Sequence, residues 1–144
     1  MGGGDRSMIA VGLRRAIIWF MLTDAQRLGL LGERIAAKWL RRRGWRVLEH
    51  RFKNGHRDLD LVVQRGKTVA FVEVKTRTDL CFGGPVSAVD FFKLQQLRRS
   101  AVVWMSRYGR SGMEYRIDVV AVWINGCDVK IYHVENAHVF HLDG

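Results

Sequence analysis

The chain has 144 residues, 48% of them hydrophobic, and carries 24 Lys and Arg against 14 Asp and Glu, a formal charge of +10. That length supports one domain around one core, and it excludes two domains of ordinary size. Five Trp, seven Phe and long apolar runs exclude a disordered tail, two cysteines exclude a disulfide framework or a self-contained zinc site, and one proline without repeats leaves collagen and solenoids unsupported.

Residues 1–22 stand apart. Met1 to Asp5 is Gly-rich, and Ala16 to Leu22 is an apolar run far shorter than the ~20 residues that span a bilayer. Thr23-Asp24-Ala25-Gln26 is a poor cleavage site for a signal peptide. The segment is read as an extension, either flexible or a short helix over a patch of the domain, or as the product of a start codon placed too early. Membrane contact is the weakest reading, and a cytoplasmic location is expected.

Residues 23–144 read as a single domain. Thr23 can cap a helix that runs to Arg43, with Gly44 as its stop. At about 100° per residue, Leu28, Leu31, Gly32, Ile35, Ala36, Trp39 and Leu40 share one face, and Glu33 lies at its margin. Strands are predicted over Trp45 to Phe52, Asp58 to Gln64 and Thr68 to Lys75, with Lys53 to His56 as a loop. A second helix is expected over Val86 to Tyr108, with Leu94, Leu97, Ala101, Trp104, Met105 and Tyr108 inward. Strands over Tyr115 to Trp123 and Asp128 to Val134, joined at Asn125-Gly126, complete the pattern. The fold class is α/β, a central mixed sheet flanked by helices.

The chemistry lies in the central hairpin. Asp58 and Asp60 alternate with apolar residues and so share one side of a strand, as do Glu73 and Lys75. With Gly66-Lys67 as a two-residue turn, Arg65 faces Thr68, Asp60 faces Glu73 and Asp58 faces Lys75. Cβ atoms of facing residues are about 4.5–5.5 Å apart, and like charges there are destabilising. A divalent cation would offset the repulsion. Mg²⁺ fits best, because it takes one or two carboxylates, keeps water and completes its shell from phosphate. The structural alternative pairs these acids with Arg57, Arg77 or Lys75. Arginine outnumbers lysine 18 to 6, and its planar fork suits phosphate. Solvated charge that serves solubility is the competing explanation.

The pattern Asp60, Glu73, Lys75 resembles the D…(D/E)-x-K signature of restriction-endonuclease-like nucleases. A wider match runs through Gly32-Glu33-Arg34-Ile35-Ala36-Ala37, Asp58 to Val62, Phe71 to Arg77, Phe82-Gly83-Gly84-Pro85, Lys93 and Arg116 to Val120. These segments resemble the YraN-type family of small bacterial proteins, placed in the Holliday-junction-resolvase-like branch of that superfamily. The family strand usually reads Gly-Glu-Ile-Asp-Leu where this chain has Arg57-Asp58-Leu59-Asp60-Leu61, and Gln96 stands where a basic residue is frequent.

The resemblance implies a restriction-endonuclease-like αβββαβ core and a Mg²⁺- or Mn²⁺-dependent nuclease acting on DNA, including branched DNA. It implies that Asp60 and Glu73 hold the ion with the backbone carbonyl of Val74. Glu33 would hold a second ion or a water, and Lys75 would orient the attacking water and help deprotonate it. Arg77 and Lys93 would position neighbouring phosphates, and Arg41, Arg42 and Arg43 would widen the footprint, although a solvated helix end explains those three equally well. Asp118 is read as structural, the histidines as surface residues, and Tyr108 and the tryptophans as core. The other reading kept is a nucleic-acid-binding or assembly module that retains the nuclease fold without turnover. DNA against RNA, and monomer against homodimer, stay open.

Overall fold

The computed structural model describes residues 16–55, 57–78 and 91–137. Helix α1 (Asp24–Arg42) is followed by strands β1 (Arg46–Asn54), β2 (Arg57–Arg65) and β3 (Thr68–Arg77), helix α2 (Phe91–Tyr108), and strands β4 (Glu114–Asn125) and β5 (Asp128–Val134). The expected order of helix, three strands, helix and two strands is present, and it contains the αβββαβ core. Residues 86–90 of the expected second helix, and the Phe82 to Pro85 motif, lie outside the described residues. Residues 16–21 form a short helical stretch, and the Arg27 guanidinium holds its end by donating to the carbonyls of Trp19 and Phe20, both at 2.9 Å.

α1 begins where Thr23 caps it. The Thr23 hydroxyl accepts from the Gln26 N–H at 3.2 Å and the Gln26 side chain accepts from the Thr23 N–H at 2.9 Å, a reciprocal capping box. The sheet order is β1-β2-β3-β4-β5, antiparallel except for β3 and β4. Those two are parallel because α2 lies between them in the chain and carries the crossover.

Each face of the sheet is covered by one helix. α1 packs Ala36, Ala37 and Leu40 with Leu61, Val63, Ala70, Val72, Val120 and Val122. α2 packs Leu94, Leu97, Ala101 and Trp104 with Val62, Val69, Phe71, Ile117 and Val119. Coverage on both faces explains why β3 and β4 read as nearly continuous apolar runs. Tyr108 departs from the expected core position: it is 51% exposed at the last turn of α2, tilted against Trp104. Trp45 and Trp104 are buried, whereas Trp19, Trp39 and Trp123 are only partly so.

The β2–β3 register is the one the two-residue turn demands, from Arg65↔Thr68 to Leu61↔Val72. Gly66 supplies the positive φ of +60° that the turn needs. The ladder then stops one residue short of Asp60 and Glu73. On its other side β2 pairs β1 as His50↔Leu61 and Phe52↔Leu59, and the intervening position, Arg51 opposite Asp60, is unpaired. Arg51 sits at φ +52°, a region that a side chain with a Cβ seldom adopts. Leu59 and Leu61 are two residues apart and should share a face, yet they enter opposite core clusters. The strand alternation therefore breaks at Asp60. This corrects the expectation that Asp58 lies beside it facing Lys75: Asp58 is exposed and pairs in register with Lys53 of β1.

Candidate metal centre and its cleft

The splayed end of the β2–β3 ladder opens a cleft of about 460 Å³ between the first half of α1 and the C-terminal end of β3. Ala25, Leu28, Gly29 and Glu33 line one wall, and Asp60 with the segment Glu73 to Thr78 lines the other. Asp60 takes the place of the missing ladder bond, its Oδ2 accepting from the Val74 N–H at 2.7 Å. Ladder alternation puts the Val74 carbonyl on the same strand edge as that N–H.

Two carboxylates meet here. Burial, and then the negative charge of Glu73, push the Asp60 carboxyl up to about 7; the Val74 hydrogen bond opposes the shift and the charge of Glu33 adds to it. Glu73 is 5% exposed. Its Oε1 lies 3.6 Å from Lys75 Nζ and 3.7 Å from Lys93 Nζ, while its Oε2 is buried without a hydrogen-bond partner among the described residues. The ion pair with Lys75 is the one foreseen as the structural alternative. Lys93 of α2 reaches the same carboxylate, a placement that spacing along the chain did not reveal.

Glu33 faces the cleft from α1, but both its oxygens are taken. Arg51 Nε donates to Oε2 at 3.0 Å and Arg51 Nη2 to Oε1 at 2.9 Å. Among the described residues, no three His, Cys, Asp or Glu side chains gather closely enough to hold a metal ion. Arg77 is exposed at the cleft mouth, with its guanidinium donating to the Thr76 carbonyl at 2.9 Å.

Arg41, Arg42 and Arg43 are not brought to the cleft. They lie eight to ten residues beyond Glu33 along α1, roughly 12–15 Å at the helical rise. Arg43 covers the Trp39 ring at 3.8 Å, and its carbonyl accepts from Arg65 beside the hairpin turn.

Asp118 is structural, as expected. It is fully buried and bonds Arg116, His133 Nε2 (2.8 Å) and the Asn136 N–H (2.9 Å). His133 thus departs from the surface reading, because this bond holds it with a side chain 10% exposed. His50 is exposed, and His56, His138 and His141 lie outside the described residues. Cys127 is exposed and free, and Cys81 lies outside the described residues.

Sequence reasoning missed Arg51 and Thr76. Nothing local marks Arg51, because its place opposite Asp60 depends on the register shift between Val47 and Glu49 in β1. Thr76 had an indirect signal in Gly32, a glycine at the centre of an apolar helix face. A Cβ on Gly32 would overlap the Thr76 hydroxyl and crowd its Cβ and methyl, so glycine is what lets α1 approach β3 this closely. Gly32→Ala is expected to destabilise the fold by about 1–3 kcal/mol, the usual cost of overpacking. Thr76→Gly in the same chain should recover part of the loss, and urea unfolding of both variants checks the pair.

The sequence model of the uncharacterised protein family UPF0102 matches residues 32–122. The chain belongs to that family. A UPF0102 protein of Beutenbergia cavernae is 46% identical over 95 residues, covering 66% of this chain and 80% of the relative. One from Rhizorhabdus wittichii is 45% identical over 98 residues, 68% of this chain and 81% of the relative. One from Syntrophomonas wolfei is 38% identical over 112 residues, 78% of this chain and 97% of the relative. The UPF0102 span holds Glu33, Asp60, Glu73, Lys75, Lys93 and Asp118, and ends before His133. Among the described residues no helix is long and apolar enough to cross a membrane.

Proposed function

We propose that the chain is a metal-dependent nuclease that hydrolyses phosphodiester bonds of DNA, with branched or otherwise structured DNA as its substrate class. One observation carries the reading. Partly buried Asp60 and buried Glu73 share an open cleft, and among the described residues Glu73 Oε2 is a buried oxygen that finds no hydrogen-bond donor. Buried polar atoms are paired in the great majority of cases, and exceptions concentrate where a ligand or ion belongs. The donor set is all oxygen, which suits Mg²⁺ or Mn²⁺. Asp60, Glu73 Oε2 and the Val74 carbonyl would hold the ion, with Glu33 at the edge of the shell. When bound, such an ion lowers the pKa of water and stabilises charge on the phosphate.

The chain's own residues do the rest. Lys75, with a side chain 19% exposed in the cleft, orients the attacking water, and its positive charge favours the hydroxide form. Attack is in line with the departing sugar oxygen. Arg77 at the mouth and Lys93 beside Glu73 hold the flanking phosphates in place. Arg41, Arg42 and Arg43 extend the contact to the far end of α1. Contacts of this kind are independent of sequence and weaken with salt.

A second reading has its own observation. Lys75 and Lys93 already flank Glu73 Oε1, which favours a module that binds nucleic acid or joins an assembly without turning over. Cleavage of a four-way junction and of a linear duplex, in Mg²⁺, Mn²⁺ or EDTA, separates the two. The nuclease reading expects cleavage that needs the metal and falls about 10²-fold or more in Asp60→Asn and Lys75→Ala, with DNA still bound. Binding of both DNAs without cleavage in either metal leaves the binding module.

A further inference from the structure

Glu33 is the third carboxylate of the cleft, yet its charge is committed elsewhere. The bidentate pair with Arg51 uses both oxygens, the strongest form of carboxylate recognition by a side chain. The two partners differ in access: the Arg51 side chain is 48% exposed and the Glu33 side chain 13%. Glu33 lines the cleft, and the guanidinium that holds it is the partner open to solvent and to a nucleic acid lying across the cleft.

The backbone is built around this pair. Arg51 holds φ +52° and interrupts the β1–β2 ladder at the position facing Asp60. A non-glycine residue in that region costs of order 1–3 kcal/mol and persists where the surroundings impose it. The charges of Glu33, Asp60 and Asp58 all act on the guanidinium and raise its pKa, with the Glu33 hydrogen bonds the largest cause. Arg51 is thus the cation that holds Glu33 and also feels the charge of Asp60.

We propose that Arg51 is a positioning residue that withholds Glu33 from the metal centre until a phosphate of the bound nucleic acid draws the guanidinium away. The two non-bridging oxygens of a phosphodiester offer the guanidinium the same bidentate match, and the same single negative charge, as a carboxylate. Once Arg51 turns to it, Glu33 is left in the cleft as an unpaired buried carboxylate, which a cation alongside Asp60 and Glu73 then neutralises. Ion and nucleic acid therefore bind cooperatively, and the third acid joins the centre only with substrate present. The proposal rests on the metal-dependent reading above.

The test is Mn²⁺ binding to the full chain by calorimetry, without activity as a readout. Wild type, Arg51→Gly, Glu33→Gln and the double variant are titrated with and without a fully phosphorothioate-substituted duplex. Glycine adopts positive φ without strain, so Arg51→Gly removes the guanidinium and keeps the fold. The expected result is Mn²⁺ binding about tenfold tighter in Arg51→Gly without DNA, in line with an added carboxylate. That gain should vanish in the double variant, and wild type should show a similar gain when the duplex is added.

A gain that persists without Glu33 would mean that only positive charge was removed, and it would overturn the proposal. So would Mn²⁺ binding of the same strength in wild type and Arg51→Gly; both results leave the metal reading intact. Absence of Mn²⁺ binding in every variant, with and without duplex, would remove the metal reading and this proposal together.

Discussion

Asp60→Asn is expected to make the metal-free protein more stable at pH 8, by about 2–4 kcal/mol, while abolishing its affinity for divalent cations. The native carboxyl titrates at about 7 where an ordinary aspartate titrates at 3.8. Each unit of such a difference is worth about 1.4 kcal/mol, so the full shift sets a ceiling near 4 kcal/mol. Below about pH 4 the proton is bound in both the folded and unfolded states, and the ionisation penalty is absent. Between about 4 and 7 the native state keeps a proton that the unfolded chain has released. Wild-type stability therefore falls as pH rises through that window, and is lowest above 7.

Asparagine carries no charge to bury and still offers an oxygen to the Val74 N–H. Urea unfolding in EDTA at pH 4, 6 and 8 should show the variant and wild type converging at pH 4 and separating above it. An equal difference at all three values would mean that the charge of Asp60 is not the source of the penalty. Saturating Mn²⁺ should flatten the wild-type profile, because a bound cation favours the ionised form and its binding releases the proton. A residue that costs stability and is needed for binding is the pattern expected where function holds a site away from its most stable state.

Asp118→Ala is expected to act in the opposite direction, with a loss of about 3–5 kcal/mol. Asp118 is an aspartate like Asp60 and is more deeply buried, but its oxygens are matched. Arg116 lies at 3.0 Å, His133 Nε2 at 2.8 Å and the Asn136 N–H at 2.9 Å. Removing the carboxylate takes the acceptor from the Asn136 N–H and from His133 and leaves Arg116 with Glu135 alone, and breaking a buried charged network of this kind is costly. The damage should reach the C-terminal end of β5, because His133 and Asn136 tie it to β4, and the Trp39 ring that meets His133 edge-on at 5.6 Å. Asp118→Asn keeps one acceptor and should lose less. Urea denaturation gives both values, and an unchanged denaturant slope would show that the unfolded state is unaffected. A loss under 1 kcal/mol for alanine would contradict a structural role for this residue.

These two aspartates show how far local reading carries. Each stands in an apolar strand with a basic residue close in sequence, Arg57 before Asp60 and Arg116 before Asp118. Periodicity treats them alike. Their opposite roles come from what other segments bring: two strand-end residues of β5 and its turn for Asp118, and a second carboxylate from β3 for Asp60. The second carboxylate was legible, because a two-residue turn fixes which hairpin residues face one another, and the register holds to Leu61↔Val72. The pairing of Asp58 with Lys75 was not, because it assumed that the ladder continues past Asp60.

The chain by itself determined the element order, the capped start of α1, the hairpin register, the faces of both helices apart from their ends and from Leu31, which is 41% exposed, and the meeting of Asp60 with Glu73. All of these follow from periodicity, caps and turn geometry, which act between residues near in sequence. Only the tertiary structure decided that β2 splays from β3 at Asp60, that Arg51 claims Glu33, that Lys93 reaches Glu73 from the opposite face, and that Arg41 to Arg43 lie at the far end of α1. Each of these depends on where a helix settles on the sheet, or on a break in strand alternation. That is set by packing contacts such as Gly32 against Thr76, between residues 44 positions apart, which no local pattern encodes.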